Sequence, residues 1–199
     1  MTAQWIREWG WIFIGAWMVA YVADYALTIA GARLYQGGVE KHLVGERGYE
    51  LNPMFQKDVA ELRRVSPRFV LWLLLSTAAL AVLWVWIARP SDGSPGLYEF
   101  FAGWMLLEEV IICARGLANI YTFRFLRRSD GVVGRTEYAY WLSLRQAAAA
   151  LVLMGTFPFA LWAIVDASWF ASGGATSCAL SASRMFVRSR RARAEAMES

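Results

Sequence analysis

The chain has 199 residues, of which 58% are hydrophobic and 18% are charged, and its formal net charge is +4 at pH 7. A soluble domain is closer to half apolar and spreads its apolar residues through amphipathic elements, whereas these residues form long uncharged blocks. The composition therefore argues against a soluble domain, and the chain is too short for a transporter of about ten spans.

The first uncharged block runs from Trp9 to Ala23 and predicts a membrane helix over residues 9–34. Its N-terminal flank has Arg7 beside Glu8, so it lacks the net positive charge of a signal peptide. No small-residue cleavage motif follows at a suitable place. We therefore expect a retained signal-anchor span.

A short amphipathic helix is predicted over residues 53–65, after the first span. Asn52 is a favourable N-cap residue, and Pro53 suits the first helical position. Apolar residues then recur at helical spacing, at Phe55, Val59 and Leu62, and charged residues fill most of the other positions. We expect this helix to lie on the cytoplasmic membrane surface, close to anionic lipid headgroups.

The second and third spans are predicted over residues 69–88 and 97–121. Residues 89–96, which lie between them, are rich in proline, glycine and serine, and this composition favours a short turn. The two spans should therefore be antiparallel neighbours.

The fourth span is predicted over residues 146–168, where Pro158 should kink the helix. The C-terminal tail, residues 171–199, has two possible paths besides remaining outside the bilayer. A fifth crossing over residues 171–187 would bring its arginines to the cytoplasm, although this stretch is mostly serine, glycine and alanine. A break of the fourth span at residues 155–158 also gives five crossings, but it places Arg145 inside a span.

Basic residues predict the orientation, because cytoplasmic loops are enriched in lysine and arginine. The loops after the first and third spans contain Lys41, Arg47, Lys57, Arg63, Arg64, Arg68, Arg124, Arg127, Arg128 and Arg135. The opposite side has only Arg7 and Arg89. We therefore expect a bacterial inner-membrane protein whose N-terminus is extracytoplasmic. Because this bias accounts for the net charge, we expect no nucleic-acid partner.

The third predicted span contains four residues that are costly in a bilayer: Glu108, Glu109, Arg115 and Asn119. At 3.6 residues per turn, Glu108, Arg115 and Asn119 share one stripe of the helix, and Glu109 points about a quarter turn away. An ionised side chain at mid-membrane costs about 2.5–3.5 kcal/mol on insertion scales. These side chains should therefore face the interior of the bundle.

The first span adds Asp24, which we expect at a depth similar to that of Glu108 and Glu109, with Thr28 one turn further along its face. Three carboxyl groups would then have only the Arg115 guanidinium close to them. Repulsion and desolvation disfavour ionisation of all three. We expect that at least one of them is protonated or that they share a cation.

Asp24-x-x-x-Thr28 followed by Glu50-Leu51-Asn52-Pro53 resembles a pattern in small prokaryotic integral membrane proteins of uncharacterised function. The resemblance covers the first third of the chain and implies only that the chain is a membrane protein. It adds Glu50 to the candidate site residues; the alternative is a loop acid just before the predicted amphipathic helix.

The predicted fold is all-α: a single membrane domain, formed by a bundle of four spans, with a fifth as an alternative. Two functions are expected. The first is a subunit or scaffold that docks through buried polar residues in a homo-oligomer or with other membrane subunits. The second is movement of protons or a small cation by the mid-membrane carboxyl groups. A weaker third is metal-dependent catalysis within the membrane; no motif for phosphate, nucleotide or haem binding identifies a cofactor.

Overall fold

The computed structural model describes residues 2–45, 52–128 and 134–198. Its helices are α1 (Ala3–Trp9), α2 (Trp11–Gln36), α3 (Gln56–Ala60), α4 (Pro67–Leu83), α5 (Pro95–Arg128), α6 (Tyr140–Leu151), α7 (Phe157–Asp166) and α8 (Trp169–Glu198). Two π-helical stretches extend or join them, Trp84–Ala88 after α4 and Val152–Thr156 between α6 and α7. A 3-10 turn follows α2 at Val39–Lys41, and two short strands complete the fold, β1 (Leu43–Gly45) and β2 (Thr136–Tyr138).

Three helical stretches are long and apolar enough to cross a bilayer: Trp11–Gln36, Pro67–Ala88 and Tyr140–Asp166. They coincide with the first, second and fourth predicted spans, which confirms an all-helical fold with three helices that could cross a membrane. The third predicted span lies within α5, whose 34 residues would extend about 51 Å. It is not among the three, because charged residues recur along it.

The long helices α2, α5 and α8 run in the same direction. Near the starts of α5 and α2, the Tyr98 hydroxyl donates a 2.6 Å hydrogen bond to the Gly10 carbonyl. Near the ends of the same two helices, the rings of Tyr35 (α2) and Phe123 (α5) lie 6.1 Å apart. α4 runs the opposite way against α2, and the Trp17 indole donates a 2.9 Å hydrogen bond to the Ser76 hydroxyl. α6 and α7 also run opposite to α8, so successive long helices alternate in direction.

The tail is helical throughout α8 and packs in the bundle between α5 and α6. Glycines bring the α5 and α8 backbones into contact, because a Cβ added at Gly103 would overlap the Phe170 carbonyl, and one at Gly173 would overlap the Phe100 carbonyl. Close backbone approach through small residues is the usual packing of membrane helices. Serine, glycine and alanine, which made this stretch a poor span by composition, are therefore the residues that allow it to pack.

The stretch from α6 to α7 is one continuous helical segment, as predicted for the fourth span, and the alternative break at residues 155–158 is wrong. Pro158 has no backbone N–H and would normally interrupt the helix. Here the π-helical turn Val152–Thr156 precedes it and accommodates the missing hydrogen bond. The segment ends at Ala167, whose φ of 47° is left-handed, and the Ser168 hydroxyl then caps α8 by accepting from the Ala171 N–H at 3.2 Å.

The helix predicted over residues 53–65 is shorter in the structure, because α3 contains only Gln56–Ala60. The predicted apolar residues do share one face: Val59 is buried against α2, and Phe55 and Leu62 pack beside it. Leu62 adopts a φ of 52°, which ends the helical path. Asp58, predicted on the polar face, is only 5% exposed.

The predicted basic loops lie at one end of the bundle, hereafter the basic end. β1 pairs in parallel with β2, with Leu43 opposite Thr136, which joins the segment after α2 to the segment before α6. The Ser189 hydroxyl donates a 2.7 Å hydrogen bond to the Trp141 carbonyl, which brings the arginine-rich part of α8 to the same end. Arg7 lies at the opposite end and donates a 2.9 Å hydrogen bond to the Ser91 carbonyl.

Candidate functional site

The polar residues predicted from the sequence lie on two faces of α5, one toward α2 and one toward α8. On the first face, the Cys113 thiol donates a 3.5 Å hydrogen bond to the Ala20 carbonyl. Three residues further along α5, a Cβ at Gly116 would lie 3.2 Å from the Leu27 Cβ. Asp24 lies between Ala20 and Leu27 on α2, and this contact between α2 and α5 fixes its depth in the bundle.

Glu109 is buried at the α2–α5 interface and is only 7% exposed. It lies within electrostatic range of Asp24 and of Glu108. Among the described residues, no hydrogen-bond donor contacts its Oε1 atom, and no lysine or arginine forms an ion pair with it. A charged carboxylate in this position would lack the donors that buried carboxylates normally have.

Asp24 has a different environment from Glu109. The Thr28 hydroxyl lies one turn along α2, close to the Asp24 carboxyl group, and Arg115 attracts this carboxyl group electrostatically. Tyr21 stacks on Phe69 of α4, with ring centroids 5.1 Å apart, and lies within electrostatic range of both carboxyl groups. The structure thus places Asp24, Thr28, Arg115 and Glu109 near one another at the α2–α5 interface.

Glu108 faces α8, where the Ser177 hydroxyl donates a hydrogen bond to its Oε2 atom. The two adjacent glutamates therefore serve different interfaces. Asn119 was predicted to face the interior with Glu108 and Arg115, but this prediction is wrong because Asn119 is exposed. Asn119 lies less than one turn beyond Gly116, the α5 glycine that contacts Leu27 of α2, on the part of α5 nearer the basic end.

Five polar residues that the structure buries were not predicted from the sequence: Asp58, Ser66, Glu99, Ser177 and Ser189. Ser177 could have been found only by treating α8 as part of the bundle. Glu99 lies inside the third predicted span, so its charge was a usable signal. Glu50 lies outside the described residues.

The described residues contain no group of three or more histidine, cysteine, aspartate or glutamate side chains placed to hold a metal ion. Cys113 and Cys178 are free thiols, and Cys178 packs against the backbone of Gly155 as a small apolar side chain. The proposal of metal-dependent catalysis therefore gains no support from the geometry.

Comparison of the chain with protein-family models, curated proteins and solved structures gives no match.

Proposed function

We propose that the protein crosses the bacterial inner membrane five times, with its N-terminus outside, and moves protons or a small cation through an exchangeable proton at the α2–α5 interface. The observation that carries this proposal is the buried Glu109 carboxyl group, whose Oε1 atom has no donor among the described residues.

The alternating directions of the long helices support five crossings. α5 and α8 are long enough to cross, since about 20 helical residues span the hydrocarbon core. Their polar residues also have partners inside the bundle, such as the Glu108 and Ser177 pair. With α8 as the fifth crossing, the tail arginines join the other basic residues at the cytoplasmic side, and the positive-inside rule is satisfied throughout.

The difference between Asp24 and Glu109 supports proton binding. Asp24 has the Thr28 hydroxyl and the positive charge of Arg115, which are the partners that an ionised carboxyl group requires in a bilayer. The Oε1 atom of Glu109 has neither a hydrogen-bond donor nor a positive charge as a partner among the described residues. A neutral, protonated Glu109 therefore avoids the cost of a buried charge. We propose that Glu109 carries the proton and that Asp24 exchanges it toward the basic end.

Glu109→Gln should abolish proton flux, because an amide keeps the shape of a neutral carboxyl group but cannot release a proton. The measurement is acidification of liposomes that contain the purified protein and a pH-sensitive dye, under an imposed potential. We expect the rate to fall to that of protein-free liposomes.

Glu108→Gln is the matched control, because its amide oxygen can still accept the Ser177 hydrogen bond. We expect this variant to retain flux. Equal flux in Glu109→Gln and the unmodified protein, with both folded by size-exclusion chromatography, would remove Glu109 from the proposed pathway.

A second candidate function is that of a subunit in a homo-oligomer or larger membrane complex. Asn119 is exposed on α5, and its neighbours Leu117 and Tyr121 are 57% and 78% exposed. An amide on a lipid-facing surface is a common point of contact between membrane helices. This function requires a second chain at that face, whereas proton movement does not.

A further inference from the structure

Three arginines and two aromatic rings alternate at the basic end, where α6 and α8 pack together. Arg145 lies between the rings of Trp141 and Phe186, with its guanidinium carbon 5.7 Å and 5.4 Å from their centroids. Arg193 lies 5.3 Å from the Trp141 centroid, and Arg190 lies 4.8 Å from the Phe186 centroid. We call these five residues the arginine ladder.

The arginine ladder concentrates positive charge without a matching carboxylate. In the part of the chain that the structure describes, the ion pairs involve Arg63 and Arg135, and none involves a ladder arginine. The Nε atom of Arg145 is buried and has no hydrogen-bond partner among these residues. The three guanidinium groups repel one another, and a bound anion would offset their charge.

Stacking on aromatic rings uses the face of a guanidinium group and leaves the N–H donors at its edge available. These edges suit the oxygens of a phosphate group, which arginine binds through paired hydrogen bonds. The first turn of α6 adds to the positive potential, because Ala139 provides no side-chain cap and the helix dipole is positive there.

Neighbouring contacts hold the ladder in place. Arg188 donates a 2.7 Å hydrogen bond to the Tyr140 hydroxyl, and the Ser189 hydroxyl donates to the Trp141 carbonyl. The start of α6 and the end of α8 are therefore fixed to each other, so the arrangement does not depend on the cation–π contacts alone.

We infer that the arginine ladder binds the headgroup phosphate of an anionic phospholipid. Phe186 of the ladder and the neighbouring Val187 are 40% and 47% exposed and form an apolar surface on α8 next to the arginines. A site with charge at the basic end and apolar surface next to it matches a lipid, whose phosphate and acyl chain occupy these two environments. Free phosphate would use only the charged part.

The test measures lipid binding to the full chain purified in a neutral detergent. Phosphatidylglycerol, phosphatidylcholine or inorganic phosphate is titrated, and bound lipid is counted by native mass spectrometry. We expect phosphatidylglycerol to bind the unmodified protein about tenfold or more tightly than phosphatidylcholine. The triple substitution Arg145→Gln, Arg190→Gln and Arg193→Gln should remove this preference.

The matched control is Arg124→Gln, Arg127→Gln and Arg128→Gln, which removes the same charge from the basic end of α5. We expect this control to keep the preference. An equal loss in both triple variants would show diffuse attraction and overturn the site. Saturation by inorganic phosphate with no further gain from phosphatidylglycerol would overturn the lipid as its source. A ladder variant that does not fold is replaced by Arg145→Lys, which keeps the charge but not the stacked fork and should reduce the preference.

Discussion

Gly173→Ala and Gly103→Ala should each lower the free energy of unfolding by about 1–3 kcal/mol, the usual cost of overpacking a core. In both cases the new methyl group would overlap a backbone carbonyl of the facing helix, Phe100 for the first and Phe170 for the second. Backbone atoms cannot rotate away as a side chain can, so α5 and α8 must separate along the contact. Thermal unfolding in detergent micelles measures the effect.

Gly15→Ala is the matched control for both substitutions, because it places the same methyl group on a helix of the same bundle. No atom lies within 4 Å of a Cβ at this position. Its stability should be unchanged, or higher by up to about 1 kcal/mol, since alanine favours the helix more than glycine does. If all three variants unfolded at the temperature of the unmodified protein, α5 and α8 would not pack as described.

Asp58→Ala should destabilise the connection between α2 and α4 by about 1–3 kcal/mol, the cost of leaving a buried polar group without its partner. The Ser66 hydroxyl donates a 2.5 Å hydrogen bond to Asp58 and also accepts from the Phe69 N–H at the start of α4. Ser66 is fully buried, so water cannot replace the lost carboxylate. Urea unfolding of the protein in micelles measures the change.

Glu61→Ala is the control that distinguishes the stability contributed by the Ser66–Asp58 hydrogen bond from that contributed by the ion pairs of Arg63. Asp58 and Glu61 both pair with Arg63, at 3.3 Å and 2.7 Å, but Glu61 is exposed. An exposed pair contributes about 0–1 kcal/mol, so Glu61→Ala should have little effect. Equal losses from the two substitutions would mean that the ion pairs, and not the Ser66 hydrogen bond, hold this segment.

The sequence predicted the apolar helices well because their lipid-facing residues must be hydrophobic along their whole length. α8 was harder to predict, because a membrane helix that packs against other helices does not need large apolar side chains along its whole length. Its usable signal was the cluster of small residues around Gly173, which matches the small residues around Gly103 on α5. Composition alone could not show that the two clusters meet.

The candidate site was predicted in part, because helical spacing gives the direction of a side chain but not the identity of the neighbouring helix. The spacing predicted that Glu109 and Glu108 point about a quarter turn apart. In the structure, Glu109 accordingly faces α2 and Glu108 faces α8. Asn119 was misplaced because, at this level of α5, Ile120 and Phe123 are the buried residues and Asn119 is exposed. Asp58 was misplaced because the chain turns at Leu62 after α3 and brings Ser66 back to the Asp58 carboxylate.

Infrared difference spectroscopy of the protein in hydrated lipid films shows directly whether Glu109 carries a proton, because it detects protonated carboxyl groups in place. At neutral pH we expect a carbonyl-stretch band of a protonated carboxylic acid that shifts in D2O. The band should be absent in Glu109→Gln and present in Glu108→Gln. A band that persists in Glu109→Gln, or its absence from the unmodified protein, would contradict a proton held by Glu109 at the α2–α5 interface.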